Sequence, residues 1–530
     1  MKQIIFFILS IISIENLSAE ILTVTNTNDY GSGSLRSLAN IANSGDSIIF
    51  DKSLAGKTIE LQGGINLSWG VSVSGKNASV ILSGGNRNGI FSGGKSIDNL
   101  TFINAPTAIS NCPLVFDCTF KNCKFIKSPL EPYGTAIDGG AISSIYSSIT
   151  VTNCTFENNT ADHGGAICSF NSLIVTNCTF KNNISFEGGG AIFSGDSLTV
   201  TNCIFENNTT ANYGYGGAIS SNGTTTITEC KFSNNTAGGY GGAICSQSSY
   251  DCSLTVSNCT FESNTSNYEG GAIYSNHYPS TIPSTVTNCT FKDNTAEGRG
   301  GAIFAYFLTV TNCTFKDNSV NSSIPDGGGA IYGCAIKGNI FIDNKIMPLN
   351  ILNDVRDCGS LGYNVYTSNQ NTVFSQSTDY RYTGSEALLV SLGNYGGNTA
   401  TMPINTAIPN WETIVRRVPV STERTTDQRG LPVPTTGLVC AGAVEMQANE
   451  HYTGIADIKK EQINVFPNPA SDIIHLVLED NSNVQVYDAF GKLIKEQSCK
   501  TGKNEINISD FPQGLYLLNV NGKTSKIIKK

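Results

Sequence analysis

One tetrapeptide recurs along the middle of this chain and leaves little freedom in how it folds. GGAI occurs eight times, ending at Ile142, Ile167, Ile192, Ile219, Ile244, Ile273, Ile303 and Ile331, in steps of 25 to 30 residues. A second block alternates with it: TNCTF at 152–156, 176–180, 287–291 and 311–315, TNCIF at 201–205, TECKF at 228–232 and SNCTF at 257–261. An asparagine follows each of these phenylalanines by three residues: Asn159, Asn183, Asn208, Asn235, Asn264, Asn294 and Asn318. A repeat of this period means stacked units, none of which can bury its own apolar face.

The pattern inside one unit states what is stacked. In SLTVTNCIF (197–205), Leu198 and Val200 alternate with Thr199 and Thr201, the mark of a strand with one buried face. Asn202 shifts the parity, so that Cys203 and Phe205 face inward on a second short strand. Asparagine suits that bend because it tolerates a left-handed backbone. Asn207 and Asn208 make the next turn and the glycine pair the third, after which Ala218 and Ile219 begin another strand. The reading is an all-β right-handed parallel β-helix with three strands per coil, followed by a small C-terminal β-sandwich. A propeller needs about 40 residues per blade and a different motif. Longer units, such as SQSSYDCS (246–253) and SNHYPSTIPS (275–284), bulge as loops.

The paired GGAI and F-x-x-N blocks resemble the chlamydial-type polymorphic outer membrane protein repeat over residues 135–345. The resemblance implies a surface β-helix of a family in which several members are adhesins.

The ends differ from the middle. Lys2, the apolar run 4–14 and the small residues before position 20 read as a secretory signal over 1–19, cut after Ala19. Residues 20–134 carry an N-terminal cap and irregular coils. Leu35, Leu38, Ala39 and Ala42 fall at helical spacing, with Ser34 to cap the start. That helix would cover the open first coil, as a solenoid requires. Residues 346–446, with LGNYGGNTATMPI, TTDQRGLPVP and CAGAVE, resemble the choice-of-anchor region that closes bacterial surface β-helices. A polar linker spans 447–460.

Residues 461–530 alternate short strands with glycine turns, about seven strands in all. They resemble the type A C-terminal sorting domain of the type IX secretion system. The matching residues are Phe466-Pro467-Asn468-Pro469, the turn from Tyr487 to Gly491, and Gly514-Leu515-Tyr516. The resemblance implies the type IX secretion machinery as a partner and export to the surface of a Gram-negative cell. It also implies attachment to surface lipopolysaccharide after the domain is cleaved, or release.

Candidate chemistry is sparse. Cys154, Cys178, Cys203, Cys230, Cys259, Cys289 and Cys313 occur once per coil, as do Phe156, Phe180, Phe205, Phe261, Phe291 and Phe315. One cysteine per coil gives a line, not the tetrahedral convergence a metal needs. Adjacent rungs also have poor geometry for disulfides. These residues read as core, while Cys112, Cys118, Cys123, Cys245 and Cys252 sit where loops could pair them. Asn153, Asn177 and Asn202 read as a turn ladder with amides bonding between coils. His163 reads as a variable turn residue, because Gly188, Tyr215, Tyr240, Glu269, Arg299 and Gly327 occupy its place elsewhere. His277 falls in a long loop. The acids Asp138, Glu187, Asp293 and Asp326 are scattered over different coils, and Asp427 with Arg424 and Arg429 reads as a structural salt bridge at the closing end. Of the charges, 33 are basic and 42 acidic, a net of −9, which gives no footprint for nucleic acid.

No catalytic, cofactor or metal residue is assigned. The sequence points to an adhesin-like binding or structural role toward an unknown glycan or protein ligand. Loop tyrosines (Tyr213, Tyr215, Tyr240, Tyr250, Tyr268, Tyr278) offer rings to stack on sugars or protein loops. The alternative is a carbohydrate-active enzyme, a polysaccharide lyase or glycoside hydrolase.

Overall fold

The computed structural model describes residues 19–530 apart from 88, 117, 122–138, 212, 249–251, 278–280, 323–326, 370–372, 422–423, 449, 453–464, 467–469, 479, 489–492, 521–522 and 530. The signal segment, Cys123, Asp138, Tyr250, Tyr278, Asp326, Pro467–Pro469 and Gly491 therefore lie outside the described residues. The chain forms two units, one up to residue 453 and one from 454 onward.

The first unit is a right-handed parallel β-solenoid of about 12 turns. The coil from Leu198 shows how the sequence makes it. Leu198–Thr201 forms the first strand, Ile204–Glu206 the second and Ile219–Ser221 the last. Three sheets, here the Val, Phe and Ile faces after their inward residues, run the length of the stack with 14, 14 and 12 strands. The expected three strands per coil are present, and a fourth joins them from Thr160–His163 to Ile351–Leu352, as a sheet of nine short strands. Pairing is in register: Val200 lies beside Ile227, Phe205 beside Phe232 and Ile219 beside Ile244.

The corners are set by backbone chemistry. Asn153, Asn177 and Asn202 turn the chain from the Val to the Phe face with φ of 51° to 54°, and Asn158, Asn182 and Asn207 turn it again with φ of 54° to 56°. The second asparagine of each NN pair, expected to share the turn, does not make it. Asn159, Asn183 and Asn208 are fully buried and point inward, because the preceding asparagine has already made the turn. The glycine pair has two distinct reasons. Gly189 needs its φ of +64°, whereas a Cβ on Gly190 would lie 2.0 Å from the carbonyl oxygen of Gly217 in the next coil.

Strand spacing of about 4.8 Å turns every repeated inward residue into a ladder. Ten phenylalanines from Phe102 to Phe341 stack with centroids 4.7 to 5.0 Å apart. At one end, Leu35–Ile41 forms the expected helix, capped by Ser34, whose hydroxyl accepts from the Ser37 amide. Its Leu35 and Ala39 are buried in the same core as the first coils.

The region after residue 346 does more than close the far end. It runs back along the Phe face. Thr399 Oγ1 donates to the Asn258 carbonyl, Thr290 Oγ1 donates to Gln428 Oε1 at 2.6 Å, and the Ala443 amide donates to Thr314 Oγ1. Outer-face threonines Thr260, Thr290 and Thr314 are consequently buried, while the matching Thr155 and Thr179 stay half-buried and Ile204 is exposed. A second core forms beneath the returning segment from Ile340, Leu388, Met402, Ile404, Val415 and Val439, among others.

The second unit holds two antiparallel sheets. One contains Val465–Phe466, Ile473–Leu478 and Gly502–Asn507; the other contains Leu493–Cys499, Ser482–Asp488, Gly514–Val520 and Lys523–Lys529. Their inward residues, including Ile474, Leu476, Val486, Ile506 and Leu518, share one core.

Candidate ligand-binding face

The repeated residues build interior ladders, so any site must come from residues that vary between copies. Two such rows meet where the fourth sheet turns into the Ile face. One is the residue ahead of each glycine pair, including His163, Tyr215, Tyr240, Glu269 and Arg299. Backbone bonds stack this row: the Gly189, Gly216, Gly241 and Gly270 amides donate to the carbonyls of Tyr215, Tyr240, Glu269 and Arg299. The other is the residue after each GGAI. Register places Cys245 beside Tyr274, Tyr274 beside Phe304 and Phe304 beside Tyr332.

Together the rows form a continuous aromatic band. Tyr215 stacks on Tyr240 at 5.8 Å, and Tyr240 approaches Tyr268 at 5.2 Å and Tyr274 at 4.8 Å. Tyr274 stacks on Phe304, and Phe304 on Tyr332, both at 5.3 Å. Tyr213, Tyr306 and Phe307 form exposed edges at 71%, 42% and 66% exposure. Tyr213 and Phe307 also hold left-handed φ of 59° and 61°, which costs a bulky residue energy and persists where surroundings impose it.

Polar groups interleave with the rings. The Arg299 guanidinium lies 5.0 Å from the Tyr332 ring centroid, and Tyr332 donates its hydroxyl to Asp357. Glu269 is half-buried, and that burial raises its carboxyl above the usual range against the lowering effect of Arg299. At the other end His163 packs edge-on against Phe193 at 4.9 Å and faces Glu187 at 3.2 Å. Tyr306 and Phe307 line a cleft of about 210 Å³ with His277, Ile282 and Ser284. Flat rings beside carboxylates and a guanidinium can hold a sugar face and its hydroxyls together.

Four of the six loop tyrosines, Tyr213, Tyr215, Tyr240 and Tyr268, thus converge. The sequence reading missed Tyr274, Phe304, Tyr306, Phe307 and Tyr332. Aligning the position after each GGAI would have found three of them.

Other assigned residues lie elsewhere. Cys154, Cys178, Cys203, Cys259, Cys289 and Cys313 are buried on one inward line with Cys230, and Phe156, Phe180, Phe205, Phe261, Phe291 and Phe315 are fully buried beside them. Each cysteine accepts the amide of the cysteine one coil before it, as Cys203 Sγ does from Cys178 at 3.3 Å. Each also donates to a carbonyl two residues back, as Cys203 does to Thr201 at 3.2 Å. Cys118 is the first rung of this line, not a loop residue, and Cys112 and Cys245 are buried. The seven cysteines of the line from Cys154 to Cys313 carry free thiols. His277 ends the strand Ile273–His277 and is buried between Ser246 at 3.0 Å and Ser284 at 3.4 Å, not placed in a loop. Burial lowers its pKa.

The compact charged group divides in two. Arg429 binds Asp427 at 2.8 Å and also Glu450. Arg424 does not join Asp427; it lies 4.0 Å from Glu445 and donates to the carbonyls of Cys440 and Gly442. In the second unit Phe466 sits in a short strand beside His475, and Gly514, Leu515 and Tyr516 begin the strand Gly514–Val520. The Tyr516 hydroxyl donates to the Pro512 carbonyl at 2.9 Å.

Comparison with known families gives two matches. A family described as the right handed beta helix region matches residues 63–282 and 199–346, together more than half of the chain. A family described as the secretion system C-terminal sorting domain matches residues 464–530. No curated protein matches in sequence. Solved structures that match include a mannuronic acid specific polysaccharide family 6 lyase from human gut microbiota. It is 13% identical with a TM-score of 0.39, over 68% of this chain and 91% of that one. Another is the major allergen from cedar pollen, 16% identical with a TM-score of 0.29, over 52% of this chain and 78% of that one.

Proposed function

The chain belongs to the right-handed β-helix family, and on that premise we propose that it is an adhesin-like binding protein whose aromatic band contacts glycan. Its sorting domain implies secretion by the type IX system, to the cell surface or the medium. The finer reading adds the resemblance of its GGAI and F-x-x-N blocks to polymorphic outer membrane protein repeats, and surface lipopolysaccharide as the attachment point after cleavage. The observation that carries the binding role is the cluster of accessible rings Tyr213, Tyr215, Tyr240, Tyr268 and Tyr274, in contact across successive coils and backed by the buried Phe304 and Tyr332. Such a cluster repeats at about the strand spacing and suits a ligand lying along the stack.

The test is binding of the exported chain to immobilised glycans, compared with the double variant Tyr240→Ala, Tyr274→Ala. Loss of one stacking contact is worth about 1 kcal/mol, so the double variant is expected to bind more than about tenfold more weakly. Unchanged binding by a folded double variant sinks the assignment. Turnover of a glycan that a single acid substitution abolishes would replace it with an enzyme.

A further inference from the structure

The second unit carries one face unlike the other. In its four-strand sheet Tyr487 pairs with Leu493 on one side and with Leu517 on the other. Position 515, two residues before Leu517, pairs with Ile528. Paired residues share a face, and so do residues two apart, so Tyr487, Leu493, Leu517 and Ile528 stand on one side of the sheet. Their strand neighbours Val486, Leu518 and Ile527 point the other way, into the core. Leu493, Leu517 and Ile528 are 44%, 42% and 41% exposed, and the adjoining Ile494 is 39% exposed.

The outer side of the three-strand sheet differs. There Ile473 pairs with Asn507, and His475 pairs with Glu505, whose carboxylate lies 3.4 Å from the imidazole. Apolar surface gathered on one face, and not scattered singly, marks a contact surface. The edge strand beside that face, Lys523–Lys529, holds three lysines in seven residues. Lysines on an edge oppose pairing with an added strand, so a partner meets the face and not that edge. Tyr487, Gly514, Leu515 and Tyr516, which carry the sorting resemblance, fall on the two central strands of the same sheet.

We infer that this face, through Leu493, Leu517 and Ile528, is where a protein component of the type IX secretion machinery docks with an apolar surface of its own. The inference rests on the sorting role proposed above and adds the residues that make the contact. The family match over 464–530 commits the face to that partner, because a sorting domain has to be held by the apparatus that moves it. Among the described residues of the unit, the exposed large apolar side chains other than Ile473 lie on this face or beside it. Removing them from water supplies the affinity. A second copy of the chain is the rival occupant.

Export of the full chain from its own host tests this, read as the fraction found outside the cell envelope. Leu517→Lys with Ile528→Lys is expected to lower that fraction about tenfold or more, and Leu517→Ala with Ile528→Ala about threefold or more. Ile473→Lys, at 40% exposure on the other sheet, is expected to leave export unchanged. Limited proteolysis of the retained chain reports whether the second unit is folded; if the lysine pair unfolds it, the alanine pair decides. Normal export of a folded pair variant, an equal loss with Ile473→Lys, or a dimer of the purified chain that the same substitutions dissolve would overturn the inference. Normal export of the pair variants while the 461–530 deletion is retained sinks the face alone, whereas export of the deletion sinks the sorting role and the inference with it.

Discussion

Asn344 donates its Nδ2–H to Oδ1 of Asp354 at 2.9 Å, and this bond ends a ladder that runs through eight coils. From Asn159 to Asn318 each asparagine donates its backbone and side-chain N–H to the Oδ1 of the next, at 2.9 to 3.1 Å. The ladder has a direction, so its last member must only accept. Asp354 does so with both oxygens: Oδ2 takes the amides of Thr367 and Ser368. Asp354→Asn turns an NH₂ toward one of these donors, and is expected to lower stability at pH 7 by about 1–3 kcal/mol in denaturant unfolding.

The same carboxyl makes stability depend on pH. Burial raises the Asp354 pKa to about 6 from 3.8. The folded state therefore holds the proton over a range where the unfolded state has released it. Stability from this group is fully present below about pH 4 and falls as pH rises to about 6, by about 3 kcal/mol in total. Measured as wild type minus Asp354→Asn, the unfolding free energy should fall by that order between those pH values. A flat difference would contradict it.

Removing a middle rung leaves neighbours stranded. Asn235→Ala strips the Asn208 amide and Nδ2 of their acceptor and the Phe205 carbonyl of its donor. At about 1–3 kcal/mol per unpaired group the loss should exceed about 3 kcal/mol. Asn177→Ala, at an exposed left-handed corner with φ of 54°, should cost only about 1–2 kcal/mol. Chemical unfolding of both variants checks the contrast.

Glycine positions should differ just as sharply. Gly190→Ala puts a methyl 2.0 Å from the Gly217 carbonyl and 2.7 Å from the Thr209 amide, both backbone, and is expected to cost above about 3 kcal/mol. Gly31→Ala, with φ of +96° and open space around it, should cost about 1–2 kcal/mol of backbone strain alone. Thermal midpoints that fall equally would count against the stacking argument.

Thiol chemistry should report the ladder directly. Burial pushes the thiol of Cys112 up to about 11 and those of Cys178 and Cys203 further. The thiolate is the reactive form, so these buried thiols should be nearly inert to a thiol reagent at pH 8 in the native chain. Unfolded without reductant it should titrate at least the seven ladder thiols from Cys154 to Cys313. A lower count would mean that rungs are paired.

Deleting 461–530 removes the segment that carries the sorting match. The truncated chain is expected to stay inside the cell envelope, as fractionation would show. Display at the surface after that deletion would refute the sorting role.

The coil was legible because a solenoid writes its geometry as local sequence. Parity along SLTVTNCIF fixes the inward faces of Leu198, Val200, Cys203 and Phe205, and Asn202 marks the corner. Less was legible where two adjacent residues of one type divide the work. Nothing in NN says that Asn207 bends the chain while Asn208 points inward; the stacking of coils decides that, because only the inward amide can reach its copies. The aromatic band was half legible. Its tyrosines sit in units of 25 to 30 residues, so uneven loops hide that Tyr240 and Tyr274 touch.

By itself the sequence determined the repeat, the turn residues, the core ladders and the C-terminal sorting motif, because each depends on residues within one coil or one short domain. Tertiary structure alone decided the rest. It laid Gln428 and Ala443 back over Thr290 and Thr314, more than a hundred residues away, and left a cavity beside Thr285, Thr287, Thr309 and Thr311. Such contacts follow from which surface remains unburied after the coils have stacked, and no local pattern encodes that.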